Sequence, residues 1–437
     1  MAAQANPLAT GRPVFVVDGS RTPFLRARGR PGPFAASDLA LQAGRSLMLR
    51  QPFGPEDFDQ VILGCVMAGP HEVNIARVVA LRLGCGQRVP AFTVQRNCAS
   101  GLQALDCAAQ DIAAGRSELV LAGGTEAMSH APVLFSEAMV KWLAGFSRAR
   151  SAGARLRATA AFRPAFLKPV IGLLCGLTDP IVELNMGQTA EVLAHRFGID
   201  RKTMDAFALR SHRRLAQAVD DGHLDEIEPL YDTRGHCYER DDGLREDSSA
   251  DKLARLKPVF DKPFGKVTAG NSAQITDGAA WLILASAQAV EKYRLPVLGR
   301  IVDSQWAALD PAQMGLGPVH AMAPIMHRHQ LASDDVDQWE INEAFAAQVL
   351  ACLEAWKDSR YCREELGLES AFDPIEEERL NVDGGAVAIG HPVGASGARI
   401  VLHLLRTLER TDGRRGMASL CIGGGQGGAM LVERTGA

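Results

Sequence analysis

Apolar residues fall along this chain in two alternating rhythms. Short runs rich in branched side chains, Val14-Phe15-Val16-Val17, Gln60-Val61-Ile62-Leu63 and Glu118-Leu119-Val120-Leu121-Ala122, predict buried strands. Between them, apolar residues recur at helical spacing. Leu102, Leu105, Ala109 and Ile112 line one face after Cys98, and Met186, Ala190, Leu193, Ala194 and Phe197 do so within a stretch, 186–222, that reads as helical. Strand and helix in alternation predict a layered α/β fold.

The pattern also repeats. Asp57-Phe58-Asp59-Gln60-Val61-Ile62 resembles Asp335-Val336-Asp337-Gln338-Trp339-Glu340, and Cys98-Ala99-Ser100-Gly101 resembles Gly394-Ala395-Ser396-Gly397 at the head of an apolar helix. Ala122-Gly123-Gly124 after one strand resembles Ile422-Gly423-Gly424 after another. Three matches in the same order predict two copies of one α/β domain, over 10–135 and 286–437. Residues 136–285 form an insertion that carries the last part of the first half and is expected to cover the substrate. Within it, 232–252 is charged and reads as loop.

Composition adds mainly exclusions. At 437 residues the chain exceeds one ordinary core, and 47% hydrophobic with 22% charged residues is the balance of a globular enzyme. A net charge of -4 gives no reason to expect nucleic-acid binding. Residues 1–12 are small and polar, unlike a signal peptide, and no apolar run approaches the ~20 residues of a membrane span. The nine cysteines form no C-x-x-C pair and no Cys/His ligand pattern, so neither a metal centre nor a disulfide framework is expected, and a reducing, cytoplasmic setting fits.

Candidate chemistry gathers at the strand ends. Ala91-Phe92-Thr93-Val94 runs into Gln95-Arg96-Asn97-Cys98, and a helix follows. Cys98 therefore sits at a helix N-terminus, where the dipole favours a thiolate. Small neighbours, Ala99, Ser100 and Gly101, leave room for a carbonyl. A buried, inert cysteine is the alternative. In the second copy, Gly390-His391-Pro392 lies just before the helix start that matches Cys98. If the copies pack about a pseudo-twofold axis, Cys98 and His391 meet as nucleophile and base. Cys421 ends the strand Met417-Ala418-Ser419-Leu420, and the glycines from Gly423 to Gly428 can present backbone N–H groups to an oxyanion. No helix follows those glycines, so they are not a dinucleotide fingerprint. Asn342, in Glu340-Ile341-Asn342-Glu343-Ala344-Phe345, either caps the next helix or holds a water or carbonyl.

Assembled in order, these motifs resemble the thiolase family nearly end to end. Asn97-Cys98-Ala99-Ser100-Gly101 is similar to its nucleophile motif, Asn342-Glu343-Ala344-Phe345 to its Asn-Glu-Ala-Phe motif, Gly390-His391-Pro392 to its histidine motif and Cys421-Ile422-Gly423-Gly424-Gly425 to its second-cysteine motif. The resemblance implies duplicated α/β/α/β/α layers with an inserted loop domain. It implies Cys98 as the acylated nucleophile, His391 as its base and Cys421 as the acid/base at the acetyl α-carbon or the coenzyme A thiol. It implies two oxyanion holes, one from His391 with a water held by Asn342, the other from the N–H groups of Cys98 and Gly423. Coenzyme A enters as a co-substrate, with no metal and no tightly bound cofactor. Phe260 matches an adenine-side contact, Ala269 and Ser272 lie in the pantetheine loop, and Met186 and Met314 match residues near the thioester pocket. Asn185 and Ala273 depart from the short-chain biosynthetic pattern, which carries histidine and serine there.

The resemblance further implies thiolytic cleavage of 3-ketoacyl-CoA to acetyl-CoA and a shortened acyl-CoA in fatty-acid β-oxidation. Biosynthetic condensation to acetoacetyl-CoA is the alternative. A decarboxylating ketoacyl synthase would use a second histidine where Asn342 stands, and a non-catalytic lipid carrier on this fold would be expected to lose Cys98 or His391. Residues 139–175, with seven Lys or Arg and no Asp or Glu, resemble the corresponding region of trifunctional-enzyme β-subunits, as does Ala208-Leu209-Arg210-Ser211-His212. That subfamily implies a homodimer or homotetramer and a hydratase/dehydrogenase α-subunit as partner. The basic stretch itself suits coenzyme A phosphates, an α-subunit or peripheral contact with an anionic membrane, with a solvated loop as the alternative.

Overall fold

A computed structural model describes Leu8 and residues 11–435; the rest of the 1–12 segment read above lies outside the described residues. Nine strands follow one path across a ten-stranded sheet: Gln338–Ile341, Arg415–Ile422, Gln426–Glu433, Gly299–Ala308, Val14–Arg21, Thr276–Ala285, Leu119–Ala127, Gln60–Gly64 and Ala91–Val94. The tenth, Leu25–Arg26, pairs with Thr276–Ala285 off that path. The two ends of the path mirror one another. In the first half, Ala91–Val94, Gln60–Gly64 and Leu119–Ala127 run parallel, and Thr276–Ala285 and Val14–Arg21 are antiparallel additions. In the second, Gln338–Ile341 is parallel to Arg415–Ile422, with Gln426–Glu433 and Gly299–Ala308 added antiparallel. The counterpart of Ala91–Val94 is reduced to one parallel bridge between Trp339 and Leu380. Where the halves join, only Val14, Phe15 and Val16 pair with Ile301, Arg300 and Gly299.

Because side chains alternate across a strand, each half-sheet feeds two cores. Leu119 and Leu121 point to an outer core under helices Ala36–Leu49 and Ile75–Leu83, whereas Val120 and Ala122 point inward to helix Ser100–Ala113. In the other half, Met417 and Cys421 face an outer core with helices Gly317–Arg328 and Ala346–Lys357, and Ala418, Leu420 and Ile422 face inward to helix Ser396–Thr411. The two inner helices share one core between the half-sheets. The order is therefore helix, sheet, helix, sheet, helix, the layering expected from the sequence.

Helix Ser396–Thr411 is enclosed on nearly all sides, so its polar side chains need partners. Arg399 meets Glu340 at 3.2 Å, and His403 lies 3.2 Å from Glu226 and 3.1 Å from Asp383. Burial opposes a charge on His403, but Glu226 and Asp383 outweigh it and push the imidazole up to about 10. Glu226 also accepts from Arg21 Nε at 3.0 Å. One buried network thus ties the first strand, the insertion and the second inner helix together.

The insertion contains helices Glu137–Arg148, Ala152–Ala160, Met186–Arg196 and Arg201–Asp220. The 186–222 stretch is thus two helices, broken at Gly198 (φ 63°) and restarted by Asp200, whose side chain accepts from the Thr203 N–H. The basic stretch is helical rather than loop. Residues 232–252 are mostly loop, apart from Cys237–Tyr238 and the start of a short helix at Ala250.

At their starts the inner helices nearly touch. A Cβ on Gly397 would lie 2.5 Å from Leu102 N, and one on Gly101 would lie 2.8 Å from Gly394 O and 2.9 Å from Ala398 N. Gly124 admits Gly394 O even more closely. These contacts are backbone, which cannot swing aside. Gly397→Ala is expected to lower stability by about 1–3 kcal/mol, read as a fall in the urea midpoint at constant m. An unchanged midpoint would show that the helices separate freely.

Candidate active site

The two helix starts carry the two central residues. Strand Ala91–Val94 ends in a tight turn before helix Ser100–Ala113. Ser100 Oγ fastens the turn by donating to Asn97 O at 2.7 Å and accepting from Arg96 N–H at 2.9 Å. Cys98 projects from this turn, half-buried. Burial pushes its thiol up to about 11, against the pull of the Gly423 N–H and its own N–H. The helix dipole favours a thiolate at this position, but desolvation outweighs it.

His391 follows Gly390, whose φ of 112° only glycine adopts readily. Its Nδ1 lies 2.6 Å from Ser396 Oγ, and that hydroxyl donates to Pro392 O at 3.2 Å. With the hydroxyl proton on Pro392, Nδ1–H donates to Ser396 and Nε2 keeps a lone pair. Nε2 is buried and has no partner within the protein. Burial, then the Arg399 charge, lowers the imidazole to about 4. Near neutrality, Cys98 and His391 are thus an uncharged thiol and an uncharged imidazole.

Asn342 lies just beyond strand Gln338–Ile341, and its N–H donates to Ser419 O at 2.9 Å. The next helix begins at Ala346 with Phe345 as its cap, so the capping role considered for Asn342 is ruled out. Its side-chain Oδ1 and Nδ2 are buried without protein partners. Such a cost is carried where a ligand or water is met.

Cys421 is 1% exposed, on the core side shared with Met314. Burial first, then a negative Cys98, raise its thiol well above the usual range. A turn through Gly423, Gly424 (φ 91°) and Gly425 (φ 72°) links its strand to the last one. The Gly423 N–H faces the Cys98 sulfur and opposes the rise of its thiol, and the Gly423 carbonyl accepts from Asn97 Nδ2 at 2.8 Å.

The residues assigned to coenzyme A divide. Met186 Sδ lies 3.2 Å from where a Gly423 Cβ would be, and Phe260 packs on Gly187 and edge-on to Phe345 at 6.0 Å. Ser272 is bridged to Phe345 but spends its hydroxyl on Thr268 O at 2.7 Å. Ala269 is exposed on the loop, and Met314 is in the core behind Cys421. Asn185, in the place of the family's histidine, caps helix Met186–Arg196 through Gln188 N–H at 3.0 Å. Among the described residues, no group of three or more His, Cys, Asp or Glu is arranged to hold a metal, and no helix is long and apolar enough to cross a membrane.

Sequence reasoning missed several supporting residues. Ser396 orients His391. Glu126 accepts N–H bonds from Val66 at 2.9 Å and Met67 at 3.0 Å, while burial pushes it up to about 7. Glu343 accepts from Ser211 Oγ at 2.6 Å, Asn381 Nδ2 at 2.9 Å and Val387 N–H at 3.2 Å, fixing the loop that leads to His391. The one signal in the row was Glu126, an acid near the end of an otherwise mostly apolar strand.

The chain matches the family described as thiolase, N-terminal domain, over residues 14–288 and that described as thiolase, C-terminal domain, over 295–434. A β-ketoadipyl-CoA thiolase of Pseudomonas aeruginosa is 40% identical over 431 residues, spanning 97% of this chain and 99% of that protein. A 3-ketoacyl-CoA thiolase of Yersinia enterocolitica is 35% identical over 432 residues, spanning 98% of each. Human mitochondrial 3-ketoacyl-CoA thiolase, in complex with CoA, superposes with a TM-score of 0.82 at 35% identity, covering 97% of this chain and 98% of that one. An acetyl-CoA acetyltransferase of Bacillus anthracis does so with a TM-score of 0.82 at 34% identity, covering 97% and 99%. The chain belongs to the thiolase family. It is an acyl-CoA acyltransferase that uses coenzyme A as a substrate rather than as a bound cofactor.

Since Cys98 rests as a thiol, its alkylation by iodoacetamide in the free protein is expected to climb continuously from about pH 6 to about pH 9. A plateau already reached near pH 7 would mean that a thiolate is present at rest.

Proposed function

We propose that this chain cleaves 3-ketoacyl-CoA by thiolysis, with Cys98 as the acyl carrier. The observation that carries the reading is the set of unsatisfied polar atoms, Nε2 of His391 and both side-chain atoms of Asn342, together with a Gly423 N–H aimed at the Cys98 sulfur. His391 Nε2 accepts the Cys98 proton, and the thiolate attacks the 3-keto carbon. The carbon–carbon bond breaks, the acyl group stays on sulfur, and acetyl-CoA departs as an enolate that takes the Cys421 proton. Acylation removes the negative charge that the attacking Cys98 sulfur adds to the burial already opposing a Cys421 thiolate. Cys421, now a thiolate, deprotonates an incoming coenzyme A, whose sulfur attacks the acyl carbon; Cys98 leaves as a thiolate and recovers the proton held on His391.

Two oxyanions form on this route. We assign the tetrahedral one to the N–H groups of Cys98 and Gly423, and the enolate to His391 with an Asn342-held water. We further propose that residues 136–285, apart from the final part of the first half that they carry, act as a cover between halves 10–135 and 286–437; Met186, beside Gly423, comes from this segment. The Yersinia relative's name supports a 3-ketoacyl-CoA substrate, which we place in fatty-acid β-oxidation, and the Pseudomonas relative's supports a dicarboxylic 3-ketoacyl-CoA as a second reading. Rates of 3-ketoacyl-CoA absorbance loss across a chain-length series that includes β-ketoadipyl-CoA decide between them.

Cys98→Ala is expected to lower thiolysis by about a thousandfold or more and to abolish the covalent acyl adduct. Asn342→Ala is expected to cost kcat about a hundredfold or more. Wild-type turnover of Cys98→Ala would remove the nucleophile assignment, and an unimpaired Asn342→Ala the second oxyanion site.

The basic helices support one more feature of this reading, docking on an anionic bilayer. Val140, Leu156, Leu167 and Leu174 are each more than half exposed, among cations that include Lys141, Arg155 and Arg157. Trp142 holds the hairpin together by stacking on Phe146, meeting Phe162 edge-on and donating to Ala158 O at 2.8 Å. Exposed apolar side chains interspersed with positive charge match an anionic lipid surface. Co-sedimentation with phosphatidylglycerol vesicles is expected to fall for Leu156→Glu with Arg155→Glu and to be weak with phosphatidylcholine. Equal binding by the variant, or to both lipids, overturns the docking.

A further inference from the structure

The donor that reaches Cys98 stands in a turn with little stiffness of its own. Gly423 is followed by two glycines at positive φ, and glycine peptides reorient at low cost. An N–H in such a turn is useful to a nucleophile only if something outside the turn holds it. The candidate is the residue beside the nucleophile itself. Asn97 Nδ2 donates to Gly423 O at 2.8 Å, while the Gly423 N–H faces the Cys98 sulfur and pulls its thiol down. One hydrogen bond and one facing N–H therefore connect residues 97 and 98 to the single residue 423.

The orientation of the Asn97 amide is itself set. Gln95 Nε2 donates to Asn97 Oδ1 at 3.2 Å, which leaves Nδ2 as the group facing Gly423. The Asn97 backbone is left-handed, at φ 43°, a conformation asparagine tolerates better than most non-glycine residues. Its carbonyl accepts from Ser100 Oγ, so the residue is fixed at both ends. Little room surrounds the clasp: a Cβ on Gly423 would stand 3.8 Å from Asn97 Nδ2 and 3.2 Å from Met186 Sδ.

We propose that Asn97 is a positioning residue, which clamps the Gly423 turn onto the nucleophile turn and keeps the Gly423 N–H on the sulfur and on the oxyanion that forms beside it. The inference rests on the reading of Cys98 as nucleophile. It makes the residue before the nucleophile a functional choice: aspartate there would set a carboxylate oxygen against the Gly423 carbonyl, and glycine would keep the backbone but lose the clamp.

The test uses the whole protein with Asn97→Gly and Asn97→Asp, and Gln95→Ala, which removes only the group that orients the amide. In Asn97→Gly, kcat is expected to drop by about three- to tenfold with KM little changed, the size of one lost hydrogen bond. The pH profile of Cys98 alkylation, followed by peptide mass spectrometry, is expected to move to higher pH while the thermal midpoint stays within a degree or two. Asn97→Asp is expected to be slower than Asn97→Gly, and Gln95→Ala intermediate between wild type and Asn97→Gly. A wild-type alkylation profile and kcat in Asn97→Gly, or, should the Asn97 variants not fold, in Gln95→Ala, overturns the clamp. The reading beneath it fails differently: acyl-CoA would then leave no adduct on Cys98 in the wild-type protein.

Discussion

The chemistry of this protein depends on how closely two helices can begin side by side. Helices Ser100–Ala113 and Ser396–Thr411 come from different halves, yet their first turns meet backbone to backbone across Gly101, Gly397, Gly394 and Gly124. Each of these positions lacks the side chain that would hold the other strand or helix away. Cys98 lies just before one helix and His391 just before the other, so this contact sets where both reside. The inner core, which contains both helices and strands of both half-sheets, keeps the contact under compression from two sides.

The same burial governs reactivity. It keeps Cys98 and His391 uncharged and Cys421 strongly protonated, so the site at rest holds thiols rather than thiolates. Charge is instead placed where it is matched. His403 among Glu226 and Asp383, and Arg21 between Glu226 and Asp241, are cations fixed by carboxylates far from solvent. Buried charges are thus paired for structure, whereas Nε2 of His391 and the side chain of Asn342 are among the buried polar atoms left without a protein partner.

Much of this was legible in the sequence because its signals are local. The strand-to-helix junction at Cys98, the helix start after His391, the turn after Cys421 and the duplicated order of motifs all depend on neighbours along the chain. The layered fold followed from the alternation of strand and helix. What escaped depends on how the chain packs, both locally and across the halves. The dipole argument for Cys98 ignored desolvation by segments hundreds of residues away. Asn342 looks like a cap until Phe345 is seen to hold that position. Ser396 is unremarkable in a row, and only the fold turns its hydroxyl onto His391. The division among Met186, Phe260, Ser272, Ala269 and Met314 likewise follows from packing that no spacing rule encodes.

The matched serines carry a last implication. Ser100 and Ser396 occupy equivalent places; one fastens the nucleophile turn, and the other orients the base. Gly394 stands where the first copy has Cys98. A side chain there would press on the Thr125 carbonyl and come within 2.9 Å of Glu126 Oε2. The division of labour between the copies therefore works like a one-way lock: with the first half packed this closely over Gly394, a thiol at the second junction is sterically shut out, and the two copies cannot exchange roles.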